Sequence, residues 1–209
     1  MNLYKFRHFY KNKYLISVFT SSRHYGLSYN YKYRCLWFRN PKVGTRSINQ
    51  HFIDNTPANQ YIYSSAVGYN PDDFKDWFKF GFVREPIDRF LSCWKDKVLN
   101  QNFYKFDSDT HEKMKNLENF ISWVETLEIE TAEEHLRAQC RLIDLDNIDF
   151  LGRMENFDND LQEMAKKIGM PIKQSHRKNT SGKRPVEVSE EQKDRIRKIY
   201  QLDYELLYP

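Results

Sequence analysis

A chain of 209 residues is long enough for one domain that buries roughly 70% of the surface its unfolded state exposes, and its 40% hydrophobic and 16% aromatic content excludes disorder. The 33 basic and 29 acidic side chains leave a formal charge of +4, too even a balance to announce a nucleic-acid binder. Three cysteines, Cys35, Cys93 and Cys140, stand at long irregular spacings with no Cys-x-x-Cys pair, which argues against a disulfide framework or a zinc site and fits a reducing compartment.

Residues 1–32 alternate tyrosine, basic and Ser/Asn residues without a clean period and read as an irregular basic and aromatic arm packed on a domain that spans 33–209. Basic residues interleaved with aromatics are also the composition of a polyanion- or RNA-binding arm. The apolar run 14–19 is far too short for a signal segment or a membrane span, so a soluble, cytoplasmic protein is expected.

Residues 34–48 are the first stretch with chemistry in them. Cys35 to Phe38 reads as a short buried strand, and residues 47–52 begin a helix. The turn between them is of phosphate size. Pro41 stiffens the exit from the strand, Gly44 lets a ligand approach the backbone, and Thr45 and Ser47 offer hydroxyls beside the free amides of a helix start. Lys42 adds a mobile point charge. A nucleotide triphosphatase loop has similar parts, but its Gly-x-x-x-x-Gly-Lys-Ser/Thr order is absent: Lys42 precedes Gly44, and Arg39 stands where the first glycine is needed. The helix buries Ile48 and Phe52 and ends near Asn55; His51 faces away from its N-terminus and reads as structural. Residues 60–67 are a second strand or a loop, followed by turn chemistry at 68–73.

Residues 78–92 repeat the strand, turn and helix pattern. A hydrophobic strand ends at Arg84, Pro86 suits a first helical position, and Ser92 follows eight residues after Arg84. A guanidinium and a hydroxyl at that separation can serve one phosphate dianion. Residues 99–109 lack a period and read as an acceptor-facing loop, Leu117, Phe120, Ile121, Val124 and Leu127 mark an amphipathic helix, and residues 132–143 have helical character. Residues 148–152 read as a third strand, Phe157, Leu161, Met164 and Ile168 as one face of a helix stopped by Gly169, and 171–185 as a basic loop. Ser189 to Gln192 is a capping box that opens the closing helix.

Pro41-Lys-Val-Gly-Thr-Arg-Ser47 resembles the 5′-phosphosulfate loop of sulfotransferases that use 3′-phosphoadenosine-5′-phosphosulfate (PAPS), and Arg84 with Ser92 resembles their 3′-phosphate signature. His135 to Gln139, the Gly-x-x-Glu-Asn stretch from Gly152 to Asn156 and the helix after it follow the order of the carbohydrate-type members, so the resemblance covers most of residues 34–208. It implies a single α/β domain, a mainly parallel sheet flanked by helices with a phosphate-binding loop. It also implies an enzyme that moves a sulfuryl group from PAPS, as co-substrate and without a metal, to a hydroxyl, with a carbohydrate the expected acceptor, and a Golgi-lumenal location only if an N-terminal anchor has been removed. Under the resemblance Lys42 stabilises the charge that develops during transfer. Gly44, Thr45, Arg46 and Ser47 hold the 5′-phosphate, Arg84 and Ser92 hold the 3′-phosphate, and Arg177 and Lys178 sit in a loop that folds over the nucleotide. Arg46 departs from the hydroxyl residue common at that place. His135 is the expected base, with Glu133, Glu134 and His111 as alternatives. The rival readings are a non-catalytic polyanion-binding module on the same fold and, third, a nucleotide kinase.

Overall fold

The computed structural model describes residues 7–16, 18, 24–172 and 186–209. The chain divides into two compact units, Met1–Val83 with Leu142–Lys178 and Arg84–Arg141 with Asn179–Pro209.

The first unit is built on a five-stranded sheet in the order β3-β1-β2-β4-β5, formed by β1 (His24–Asn30), β2 (Cys35–Phe38), β3 (Tyr61–Gly68), β4 (Phe78–Val83) and β5 (Phe150–Arg153). The α/β class is the expected one, and β2, β4 and β5 are parallel neighbours. The rest of the sheet makes it mixed rather than mainly parallel, because β1 pairs antiparallel with both β2 and β3. The cause is local. Asn30 pairs with Cys35 across a turn in which Arg34 takes a left-handed φ of 48°, and a connection that short permits only an antiparallel neighbour.

The arm expected over residues 1–32 is therefore corrected: its last part is an interior strand. Residues 26–30 are all buried, so both faces of β1 are covered and no alternation survives to mark it. The helix α1 (Arg7–Lys11) packs where an arm was expected, with Lys11 Nζ 2.7 Å from Asp73 and the Asn12 amide donating to the Tyr29 hydroxyl at 3.1 Å.

Helices α2 (Thr45–Asn55) and α6 (Phe157–Lys167) bury Ile48 and Phe52, and Phe157, Leu161 and Met164, in a core with Trp37, Val43, Phe80 and Phe82. Trp37 stacks on Phe80 at 6.1 Å with an interplanar angle of 6°. Each such side chain contributes about 1.5–3 kcal/mol when fully buried. The tightest approach is between β5 and β4. A Cβ on Gly152 would lie 2.4 Å from Cε1 of Phe82, whose ring is fully buried and rests 5.6 Å from Phe157. Gly152→Ala should therefore cost about 1–3 kcal/mol by overpacking. An unchanged midpoint in urea unfolding would mean that the ring yields freely.

The second unit is helical: α3 (Pro86–Trp94), α4 (Ser108–Met114), α5 (Leu117–Val124), α7 (Glu190–Ile199) and α8 (Gln201–Leu207). Its core joins Phe90, Cys93, Trp94, Leu117, Phe120, Ile121, Val124, Leu136, Ile196 and Tyr200. The capping box at Ser189 and Gln192 opens α7 as expected.

Residues 132–143 are not the helix their composition implies; turns and a short 3₁₀ segment, Gln139–Arg141, take its place. Distant side chains have taken the backbone groups a helix would use. Arg89 binds the carbonyls of Glu134 and Arg137, both at 2.9 Å, and the Asp203 carboxylate accepts the N–H groups of Gln139 and Cys140, both at 2.9 Å.

Candidate active site

In the first unit the loop after β2 is held at both ends. The Arg39 N–H donates to the Gly26 carbonyl at 2.8 Å, prolonging the ladder by one residue. Asn40, fully buried, donates its amide to the Phe82 carbonyl of β4 at 3.2 Å, and the Thr45 hydroxyl donates to the Asn40 carbonyl at 2.9 Å. Between these anchors the backbone turns through two left-handed residues, Lys42 at φ 71° and Gly44 at φ 74°. For a lysine that conformation costs on the order of 1–2 kcal/mol and persists only where its surroundings impose it. At Gly44 a second constraint joins the first, since a Cβ would lie 3.0 Å from both the Met154 sulfur and the Phe157 ring.

Gly44 is also the N-cap of α2. No side chain caps that helix start and no acidic residue lies in its first turn. The N–H groups of Ser47 and Ile48 turn inward to the Gly44 carbonyl, at 2.9 and 3.1 Å; among the described residues, those of Thr45 and Arg46 have no acceptor. Amides left free at an uncapped helix start are groups to which an anion can bind. The Thr45 hydroxyl, expected from the sequence to face a ligand, donates instead to Asn40, and among the described residues its backbone N–H is without an acceptor. Ser47 is 6% exposed and Arg46 is exposed. His51, 1% exposed, is buried in α2, as its structural reading requires.

In the second unit Arg84 is the first residue after β4. Its backbone is clamped by the side-chain amide of Gln139, which accepts the Arg84 N–H at 3.0 Å and donates to its carbonyl at 2.8 Å. Gln139 is held in turn by Asp203, and both are fully buried. The guanidinium stays one quarter exposed, with a loose contact of 3.8 Å to Asp88. Helix α3 starts at Pro86 with the Glu85 side chain accepting the Asp88 N–H at 2.8 Å, and Ser92 sits on it at 8% exposure.

Arg89, 1% exposed, was not singled out from the sequence, although the signal was there: a charge on the apolar stripe Pro86, Phe90 and Cys93 at helical spacing. By binding the Glu134 and Arg137 carbonyls it shapes the segment that carries His135. The His135 Nδ1 lies 2.8 Å from Glu133 Oε1, its backbone N–H donates to Oε2 of the same carboxylate at 3.0 Å, and its ring meets the Phe103 ring edge to face at 5.1 Å. Burial pushes the Glu133 carboxyl up, but the hydrogen bond and charge of His135 outweigh it and hold the group below the usual range. Of the alternatives, His111 has its Nε2 2.8 Å from the Val98 carbonyl. Glu133, Glu134 and His135 bring ligand atoms within 4.8 Å of one another, yet both carboxylates are exposed and Nδ1 is committed to Glu133.

Arg177 and Lys178 lie outside the described residues. No described helix is long and apolar enough to cross a membrane. Compared with known proteins, residues 25–209 match a family model described as the sulfotransferase family. No curated protein and no solved structure matches.

Proposed function

Because the chain belongs to the sulfotransferase family, we propose that it moves a sulfuryl group from PAPS to a hydroxyl on a carbohydrate. The observation that carries the reading is the uncapped start of α2, where two N–H groups without an acceptor among the described residues, a left-handed Lys42 and a Gly44 pressed on Phe157 form a cradle for a phosphosulfate. In this reading Thr45, Arg46 and Ser47 hold the 5′-phosphate, and Lys42 meets the oxygen that joins it to sulfur. The bond from sulfur to that oxygen breaks as a bond from sulfur to the acceptor oxygen forms. The acceptor proton passes to Nε2 of His135, whose other nitrogen is held by Glu133. The leaving group is adenosine 3′,5′-bisphosphate. Like phosphoryl transfer, the step depends on position and charge neutralisation more than on covalent help.

Arg84 and Ser92 take the 3′-phosphate, and the clamp from Gln139 on the Arg84 backbone fixes where that guanidinium starts. Replacing both by alanine should weaken adenosine 3′,5′-bisphosphate about 10- to 100-fold, the equivalent of one charge-assisted contact of about 1.5–3 kcal/mol, and leave AMP nearly unaffected. Calorimetry with the two nucleotides checks this; a double variant that still prefers the bisphosphate refutes the assignment. The same titrations extended to ATP and heparin separate a sulfotransferase from a kinase and from a polyanion-binding module.

A further inference from the structure

Asp203 is a charge on the inward side of a helix. The buried residues of α8 are Asp203 and Leu207, one turn apart, and Asp203 is 0% exposed. A leucine would fill that place without the cost of taking an ion out of water, so a carboxylate there calls for a use. It accepts two backbone N–H groups of a distant segment, that of Gln139 on Oδ2 and that of Cys140 on Oδ1, both at 2.9 Å. Gln139, itself fully buried, carries the hold further: its side-chain amide accepts the Arg84 N–H at 3.0 Å and donates to the Arg84 carbonyl at 2.8 Å.

The next residue of α8 grips the next residue of the same turn. The Tyr204 hydroxyl donates to Oε1 of Glu85, while Oε2 of Glu85 caps α3 by accepting the Asp88 N–H at 2.8 Å. Burial first, and then Glu85 itself, push the Tyr204 phenol up, which keeps it the donor of the pair. Consecutive residues of α8 therefore fix consecutive residues at the start of α3, and all of these groups belong to the second unit. The Arg84 guanidinium is left one quarter exposed, with a contact of 3.8 Å to Asp88. A fixed backbone under an accessible charge reduces the freedom that is lost when the side chain closes on an anion.

We propose that Asp203, assisted by Tyr204, is a positioning residue for 3′-phosphate recognition, aiming Arg84 through Gln139 from α8. The proposal rests on the reading in which Arg84 takes the 3′-phosphate of PAPS, and it adds the group that sets where that arginine begins. A carboxylate that served stability alone would also secure residues 139–140, but its loss would not discriminate between nucleotides with and without a 3′-phosphate.

The test is calorimetry on the whole protein with adenosine 3′,5′-bisphosphate and AMP, joined to urea unfolding. The wild-type protein should prefer the bisphosphate by about tenfold or more. Asp203→Asn keeps the volume but turns an NH₂ group toward one of the two amides, and should reduce that preference about fivefold while the AMP Kd stays within about twofold. Tyr204→Phe, which removes only a hydroxyl, should reduce it about threefold, and it carries the test by itself if Asp203→Asn does not fold. In an Arg84→Ala background neither change should weaken bisphosphate binding further by more than about 1.5-fold, because the group they aim is gone. Ile121→Val in the same helical core is the control: it should lower the unfolding midpoint and keep the preference. Variants that keep the full preference, losses that persist undiminished in the Arg84→Ala background, or a preference that falls with Ile121→Val overturn the positioning role and leave the reading of Arg84 intact. Wild-type protein that does not prefer the bisphosphate overturns the assignment of Arg84 to a 3′-phosphate, and the positioning role with it.

Discussion

Lys42→Ala should lower the turnover number by about 10²–10³-fold while adenosine 3′,5′-bisphosphate still binds within about threefold of the wild-type affinity. The asymmetry follows from where the charge is. The oxygen that joins sulfate to the 5′-phosphate becomes strongly negative only as the bond to sulfur breaks, so an ammonium aimed at it stabilises the transition state more than the bound nucleotide. The left-handed backbone at Lys42 permits a control that separates charge from conformation. Glycine at this position relieves the strain and removes the amine. If the defect of the alanine variant came from a distorted loop, Lys42→Gly would recover activity; it should instead be equally slow. Single-turnover kinetics with calorimetry on each variant measures both sides, and near-normal turnover in either one removes Lys42 from the mechanism.

The second large effect is expected at His135. Its replacement by alanine should reduce kcat by about 10²–10⁴-fold, the usual contribution of a positioned base, with KM changed little. Glu133→Gln should cost less, because an amide still occupies the space beside Nδ1 but no longer stabilises the imidazolium that forms when the acceptor proton arrives. Steady-state kinetics, with circular dichroism to confirm that each variant is folded, measures the pair. A loss under threefold for His135→Ala would move the role to Glu133 or Glu134. Arg89 lies behind this arrangement: with its guanidinium on the Glu134 and Arg137 carbonyls, it positions the segment without a place in the chemistry.

The parts of the molecule that a reader of the sequence can name are those whose cause lies within a few residues. Strand β2 was legible because Cys35 to Phe38 is an unbroken apolar run, and all four residues are buried. The start of α2 was legible because Pro41, Gly44 and a hydroxyl pair write a turn and a helix start in seven letters. Helix α3 announced itself by Pro86, α6 by its stripe and the stop at Gly169, which takes φ 68°, and α7 by its capping box. The family followed from two of these local patterns at a fixed order.

What tertiary structure decided has its cause far along the chain. Strand β1 carries no alternation because β2 and β3 flank it and both its faces are covered, so its own residues do not reveal it. Residues 132–143 have helical composition, but hydrogen bonds from Arg89 and to Asp203, 45 and 63 residues away for the nearest contacts, replace the local ones and leave a turn that presents His135 to Glu133. The Thr45 hydroxyl is read from sequence as a ligand group until the fold directs its proton to Asn40. Arg39 is one more basic residue in a basic chain until the hairpin and β3 bring Gly26 and Tyr63 under it. Propensity and capping act over one or two turns and are written where they act, whereas a side chain's hydrogen-bond partner is chosen by whichever distant segment the fold delivers to it.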